Sequence, residues 1–177
     1  MTPAQEMDRG SERPGPAVQK SSGVVLVERI THEDVPAICT LLKKVWDPAP
    51  TGVPPELAKS WQPTPLEFTS WMGGVTYFAA RRDGHLVGVV GCELHHGACR
   101  LVHLAVDPEQ RRHGVATALI AAAIEWAKKE RATSVWSNLL QALAPAKDLY
   151  LHLGFTLVGT LHRHELGEDV LLLERVL

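Results

Sequence analysis

Two short turns fix the centre of this chain. Asp83-Gly84 and His96-Gly97 separate three runs rich in β-branched, aromatic and other apolar residues, at 75–82, 86–95 and 99–106. A two-residue turn with glycine second favours the left-handed backbone of a tight hairpin. Strands joined that way are antiparallel neighbours. The middle of the chain is therefore an antiparallel meander.

The flanks add helices and further strands. Val24 to Ile30 reads as a strand. Thr31 then stands three residues before Asp34, a capping-box-like start. Val35, Ile38, Leu41, Leu42 and Val45 follow at helical spacing, so a helix runs to about Trp46. Six prolines (48, 50, 54, 55, 63 and 65) interrupt regular structure over 47–65, with short helical turns expected around 55–61 and 65–72. An Ala-rich helix runs from about Gly114 to Glu130, with Val115, Leu119, Ala122 and Trp126 on one face. A strand at 133–139 follows. Pro145 suits the first turn of a helix ending near Leu153-Gly154. Strands at about 155–162 and 169–176 close the chain. This order gives an α/β domain with a mixed, mostly antiparallel central sheet and flanking helices. Residues 24–177 form it; residues 1–23, rich in Pro, Gly, Ser and charge, read as a flexible tail.

Composition excludes several classes. The 18 basic and 20 acidic side chains leave a net charge of −2, against a nucleic-acid binder held by bulk charge. No apolar run approaches the roughly 20 residues of a membrane span, so no membrane partner is expected. Cys39, Cys92 and Cys99 match no zinc spacing and read as reduced thiols, which points to a cytoplasmic protein. The pairs His95-His96 and His162/His164 lack convergent partners, and no metal site is expected.

The segment from Leu104 to Thr117 is the most informative. An apolar strand stops at Asp107-Pro108; a basic loop follows; Gly114-x-Ala116 opens the long helix. A helix start leaves four N–H groups free and carries roughly half a positive charge. Gly114 and Ala116 let the backbone approach a pyrophosphate closely. Arg111 and Arg112 add cationic donors. The bland alternative is a helix start beside a solvated basic turn. Neither a P-loop nor a dinucleotide fingerprint is present.

These residues resemble the Gcn5-related N-acetyltransferase (GNAT) superfamily. Arg111-x-x-Gly114-x-Ala116 is similar to its Gln/Arg-x-x-Gly-x-Gly/Ala signature, and Ala146-x-x-Leu149-Tyr150-x-x-x-Gly154-Phe155 to its second motif. The resemblance covers about residues 24–177. It implies the acyl-CoA N-acyltransferase fold, with acetyl-CoA as co-substrate and the strands starting at 99 and 133 splayed apart. Leu104, Ala105 and Val106 would pair with the pantetheine arm through their backbone. The amides of Arg112, His113, Gly114, Val115, Ala116 and Thr117, with Arg111, would hold the pyrophosphate. An N–H near Leu104–Val106 would face the thioester oxygen. The superfamily often has Asn seven residues before the helix Tyr; here that position is Leu143, and Asn138 is the nearest substitute.

Acetyl transfer to a primary amine, by direct attack through a tetrahedral intermediate, needs a base for the ammonium (pKa about 10.4) and an acid for the leaving thiolate (about 8.5). Tyr150 stands where the resemblance places the acid; the alternative is an aromatic packing helix to sheet. For the base, His103 comes first because imidazole titrates near neutrality, and Glu93 second; a structural histidine and a carboxylate that merely binds the acceptor's cation are the alternatives. Trp46, Trp61 and Trp71 flank the proline-rich segment and would line an acceptor pocket or pack in the core. The acceptor is a small molecule or a peptide. A homodimer would form through 169–176, read as an exposed edge strand. A non-catalytic acyl-CoA sensor or interaction module on the same fold also stays open. A hydrolase or oxidoreductase is disfavoured because no nucleophile elbow or dinucleotide fingerprint occurs.

Overall fold

The computed structural model describes residues 23–177; the expected tail lies outside them except for Gly23. Seven strands form one sheet: β1 (Leu26–Arg29), β2 (Thr76–Arg82), β3 (His85–His95), β4 (Ala98–Val106), β5 (Ser134–Leu140), β6 (Thr156–Glu165) and β7 (Glu168–Val176). Their order is β1-β2-β3-β4-β5-β7-β6. Only the β4–β5 pair is parallel. The helices are α1 (Val35–Trp46), α2 (Pro55–Ser60), α3 (Pro65–Trp71), α4 (Val115–Lys129) and α5 (Lys147–His152).

The local signals act as their chemistry dictates. Both residues of Asp83-Gly84 and of His96-Gly97 have positive φ, which a twisted two-residue hairpin requires. Thr31 N donates to Asp34 Oδ2 at 2.8 Å, and Glu33 N to Thr31 Oγ1 at 3.3 Å. A second capping box, Thr64 with Glu67, opens α3. Pro145 falls in a 3₁₀ stretch, 141–146, ahead of α5.

The sheet separates two cores. On one face α4 and α5 cover Val90, Cys92, Leu101, Val135 and Leu173. On the other, α1 and α3 cover Tyr77, Ala79 and Val89. A smaller cluster of Val53, Ala58, Leu140 and Val170 fastens the proline-rich segment and α2 over β5 and β7. The first turn of α4 lies directly on β3, because a Cβ on Gly88 would stand 2.9 Å from Leu119 and Val115 side chains.

One expectation is corrected. The strand at 169–176 is not an edge: β7 sits between β5 and β6, and β6 is the edge. The run Val170-Leu171-Leu172-Leu173 is the reason. Val170, Leu171 and Leu173 are buried, whereas β6 is exposed along most of its length. A strand apolar on both faces belongs inside a sheet.

Candidate active site

The parallel pairing of β4 and β5 ends early. Ala98–Leu101 match Ser134–Ser137, and beyond them the strands part. The gap opens a cleft of about 1090 Å³ lined by β4 from Arg100 to Val106, the loop and first turn of α4, β5 from Ser137 to Leu140, and α5. Asp107 N donates to Val87 O at 2.9 Å, and Ala105 stands opposite Val89. Alternation along an antiparallel ladder then turns the N–H and C=O of Leu104 and Val106 away from β3, toward the cleft. This free strand edge is what an extended, amide-bearing ligand arm pairs with.

The loop after β4 is pinned from several sides. Asp107 accepts from Lys44 of α1 and from Glu109 N. Gln110 N donates to Asp107 O at 2.8 Å. Arg112 and Gly114 both take positive φ, 64° and 78°, so the chain coils back before entering α4. The first helical bond runs from Ala118 N to Gly114 O, leaving the preceding amides free for an anion. Arg111, Arg112 and His113 have exposed side chains, while Val115 is buried in the core and offers only its amide. Of the residues expected to bind the pyrophosphate, Arg111, Arg112, Gly114, Val115, Ala116 and Thr117 line the cleft, and His113 does not.

Tyr150 reaches the cleft from α5. Gly154, at φ 82°, turns the chain so that Phe155 N returns to Tyr150 O at 3.0 Å. The Phe155 ring meets the Tyr150 ring edge-on at 5.2 Å. This is the physical content of the second motif: glycine and phenylalanine lock the tyrosine in place. Ser137 Oγ, from β5, donates to the phenol oxygen at 3.3 Å, leaving the phenol's own proton available. Burial raises the phenol's pKa, opposed by the Ser137 hydrogen bond.

His103 lies at a bulge in β4. Gly91 faces Val102 and Val89 faces Ala105, so His103 and Leu104 together oppose Val90. His103 has φ 53°. Its ring stacks on Trp71 at 4.5 Å, and Nδ1 is 2.7 Å from Tyr77 Oη. Burial, helped by the Arg100 guanidinium and partly offset by Glu93, pulls His103 down to about 4. Burial and the Glu93 charge push the Tyr77 phenol above its ordinary value. Both rings are therefore neutral at pH 7. In the Tyr77–His103 contact the tautomer of the imidazole sets which group donates: the phenol when the ring proton is on Nε2, the ring when it is on Nδ1.

Glu93 does not line the cleft. It pairs with His95 Nε2 at 3.0 Å and lies 3.7 Å from Arg100. Arg100, over the Trp136 ring at 5.1 Å, donates to Asn138 Oδ1 at 3.0 Å. Asn138 Nδ2 then donates to Glu165 Oε1 at 3.2 Å. Asn138 sits next to Ser137 in β5, on the strand face opposite the Ser137–Tyr150 contact, and it lines the cleft as well. Leu143 itself is a cleft wall.

Trp46 and Trp61 line the cleft and meet at 4.6 Å. Trp71 packs instead with Phe68 and His103. Sequence reasoning missed Glu165, Arg100 and Arg82, which reach the site through sheet register. Among the described residues no cluster of three potential metal ligands occurs, and no helix is long and apolar enough to cross a membrane.

The family model described as Acetyltransferase (GNAT) family matches residues 39–155. No curated protein matches significantly. The ribosomal-protein-S18-alanine N-acetyltransferase of Escherichia coli superposes with TM-score 0.70 at 20% identity, covering 86% of this chain and 94% of that one. The PaiA N-acetyltransferase of Thermoplasma acidophilum, solved with coenzyme A, gives TM-score 0.72 at 15% identity over 87% and 99%. A nourseothricin acetyltransferase is 30% identical over 58% of this chain and 65% of its own, with TM-score 0.55.

Proposed function

Since the chain belongs to the GNAT acetyltransferase family, with acetyl-CoA as its co-substrate, we propose that it moves the acetyl group to a primary amine of a small molecule by direct attack in the β4–β5 cleft. The observation that carries this reading is the convergence of three parts on that cleft: a free strand edge, a helix start with open amides, and a buried phenol with a proton to give.

Each part has a role. The edge of Leu104 and Val106 orients the pantetheine arm, and an N–H there faces the carbonyl oxygen as negative charge develops. The acceptor nitrogen bonds to the acetyl carbon, through a tetrahedral intermediate, and the carbon–sulfur bond breaks. The sulfur takes the Tyr150 proton. The acceptor's surplus proton goes to Glu165, a residue of the cleft wall whose Oε1 accepts from Asn138. A histidine held near 4, its Nδ1 occupied by Tyr77, is a poor base; we assign His103 and Tyr77 to shaping the acceptor wall. Glu93 acts through its charge.

A small acceptor is supported by the wall that the proline-rich segment and α2 build over β5 and β7, with Trp46 and Trp61 on the cleft. The partial likeness to a nourseothricin acetyltransferase supports it too.

Thermal unfolding with acetyl-CoA, beside NADH and ATP, tests the co-substrate site. Binding at a hundred times Kd stabilises by about 2.7 kcal/mol, a rise of roughly 5–10 °C. Thiol release against a panel of small amines and peptide N-termini tests the reaction. Binding without release from any amine would favour a sensor on the same fold; release with peptides alone would overturn the small acceptor.

A further inference from the structure

Arg82 is a buried cation that the reaction above does not use. It is the last residue of β2 and only 8% exposed. Its guanidinium crosses beneath the loop that precedes α4. One terminal nitrogen donates to Gln110 Oε1 at 2.8 Å, the other to His113 O at 3.0 Å, and Nε is buried without a partner. Among the described residues Arg82 has no ion pair with a carboxylate. A buried charge is ordinarily paired.

The bond to His113 O has a geometric consequence. The C=O of His113 and the N–H of Gly114 belong to one planar trans peptide and point in opposite directions. Holding the carbonyl inward on Arg82 aims the Gly114 N–H outward, where the other open amides of the α4 start converge. The hold on Gln110 fixes the other end of the same loop. Arg82 also leaves one uncompensated positive charge just under that anion site, where the shielding of water is weak.

We propose that Arg82 is a positioning residue for the phosphate loop: it sets the Gly114 peptide toward the pyrophosphate of coenzyme A and supplies the buried charge that the polyanion neutralises. The proposal deepens the reading of this loop as the coenzyme site and rests on it. It separates two halves of the co-substrate. The phosphates need Arg82, and the pantetheine arm on β4 does not.

The test uses two acetyl donors, acetyl-CoA and acetyl-pantetheine, which carries the same thioester but no nucleotide. Arg82→Met and Arg82→Lys are compared with the parent chain, with apo melting temperatures confirming folding. For Arg82→Met, coenzyme A affinity by calorimetry falls 10- to 100-fold, KM for acetyl-CoA rises with it, and kcat at saturation holds. Turnover with acetyl-pantetheine stays within twofold. Arg82→Lys, which keeps the charge but not the two-pronged grip, recovers part of the loss. Equal losses with both donors would make Arg82 merely structural and overturn the proposal, as would unchanged affinity in Arg82→Met. A parent chain that binds no coenzyme A would overturn the site reading itself, and that outcome is visible before any variant is made.

Discussion

Replacing Tyr150 by Phe removes one oxygen from the cleft and little else. The ring is 3% exposed and keeps its edge-on contact with Phe155. Ser137 loses an acceptor but retains the Leu101 carbonyl at 3.5 Å. Stability should change by about 1 kcal/mol or less, roughly 2–4 °C for a domain of this size. Coenzyme affinity should hold, because the strand edge and the α4 loop are untouched. Turnover should not. Without a donor the sulfur leaves as a bare thiolate, and losing a positioned acid costs about 10²–10⁴ in kcat, or about 3–5 kcal/mol of barrier. Burial raises the phenol's pKa, so Tyr150 stays protonated through neutral pH and gives the parent no falling limb there. The assay is thiol release at saturating acetyl-CoA, repeated with a synthetic acetyl donor whose thiol is more acidic. A better leaving group needs less proton, so the defect of Tyr150→Phe should shrink with it. A variant within threefold of the parent, or a defect of the same size with both donors, would refute the acid role.

Three further outcomes follow from the geometry. His103 is depressed from 6.5 to about 4 in the folded chain, so between those pH values the unfolded state binds the extra proton. Stability is present above pH 6.5 and lost as pH falls to about 4; at about 1.4 kcal/mol per pH unit the loss is at most about 3 kcal/mol, and denaturant titrations of His103→Gln should show that much less slope. Gly88→Ala puts a Cβ 3.1 Å from the Ala105 carbonyl as well as against α4, and should cost about 1–3 kcal/mol, read as a lower melting temperature. Gly114→Ala meets open space but must hold φ 78°, which costs about 1–2 kcal/mol; calorimetry should show weaker coenzyme A binding beside that loss.

Legibility followed the range of the interaction. The hairpins at Asp83-Gly84 and His96-Gly97, the Thr31 cap and the Gly154 turn are decided by a few adjacent residues, and each could be read directly. So could the α4 loop, because its chemistry is backbone chemistry. The order of β6 and β7 also carried a signal: Val170 to Leu173 is apolar without alternation, while Arg163 and the flanking His162 and His164 mark β6 as a blunted edge. Arg82, Arg100 and Glu165 carried none. Arg82 meets residues 28 and 31 positions away, and Asn138 meets Glu165 across 27, so their roles exist only once the register is set.

The bulge at His103 shows why the base in particular resisted a reading from sequence. In a regular strand, His103 and Val102 would face opposite sides. The extra residue puts both on one face: Val102 and Tyr77 crowd the position where Gly91 lacks a Cβ, at 2.7–2.8 Å, and the Tyr77 phenol meets the His103 ring. The same insertion shifts the alternation beyond it, which is what turns the amides of Leu104 and Val106 to the cleft. One irregularity thus turns a strand edge to the cleft and draws a histidine into a buried aromatic stack, where burial lowers the basicity that made it the first candidate. Two carboxylate residues, Asp148 of α5 and Glu165 of β6, line the cleft, and we assign the acceptor's proton to Glu165, which Asn138 holds.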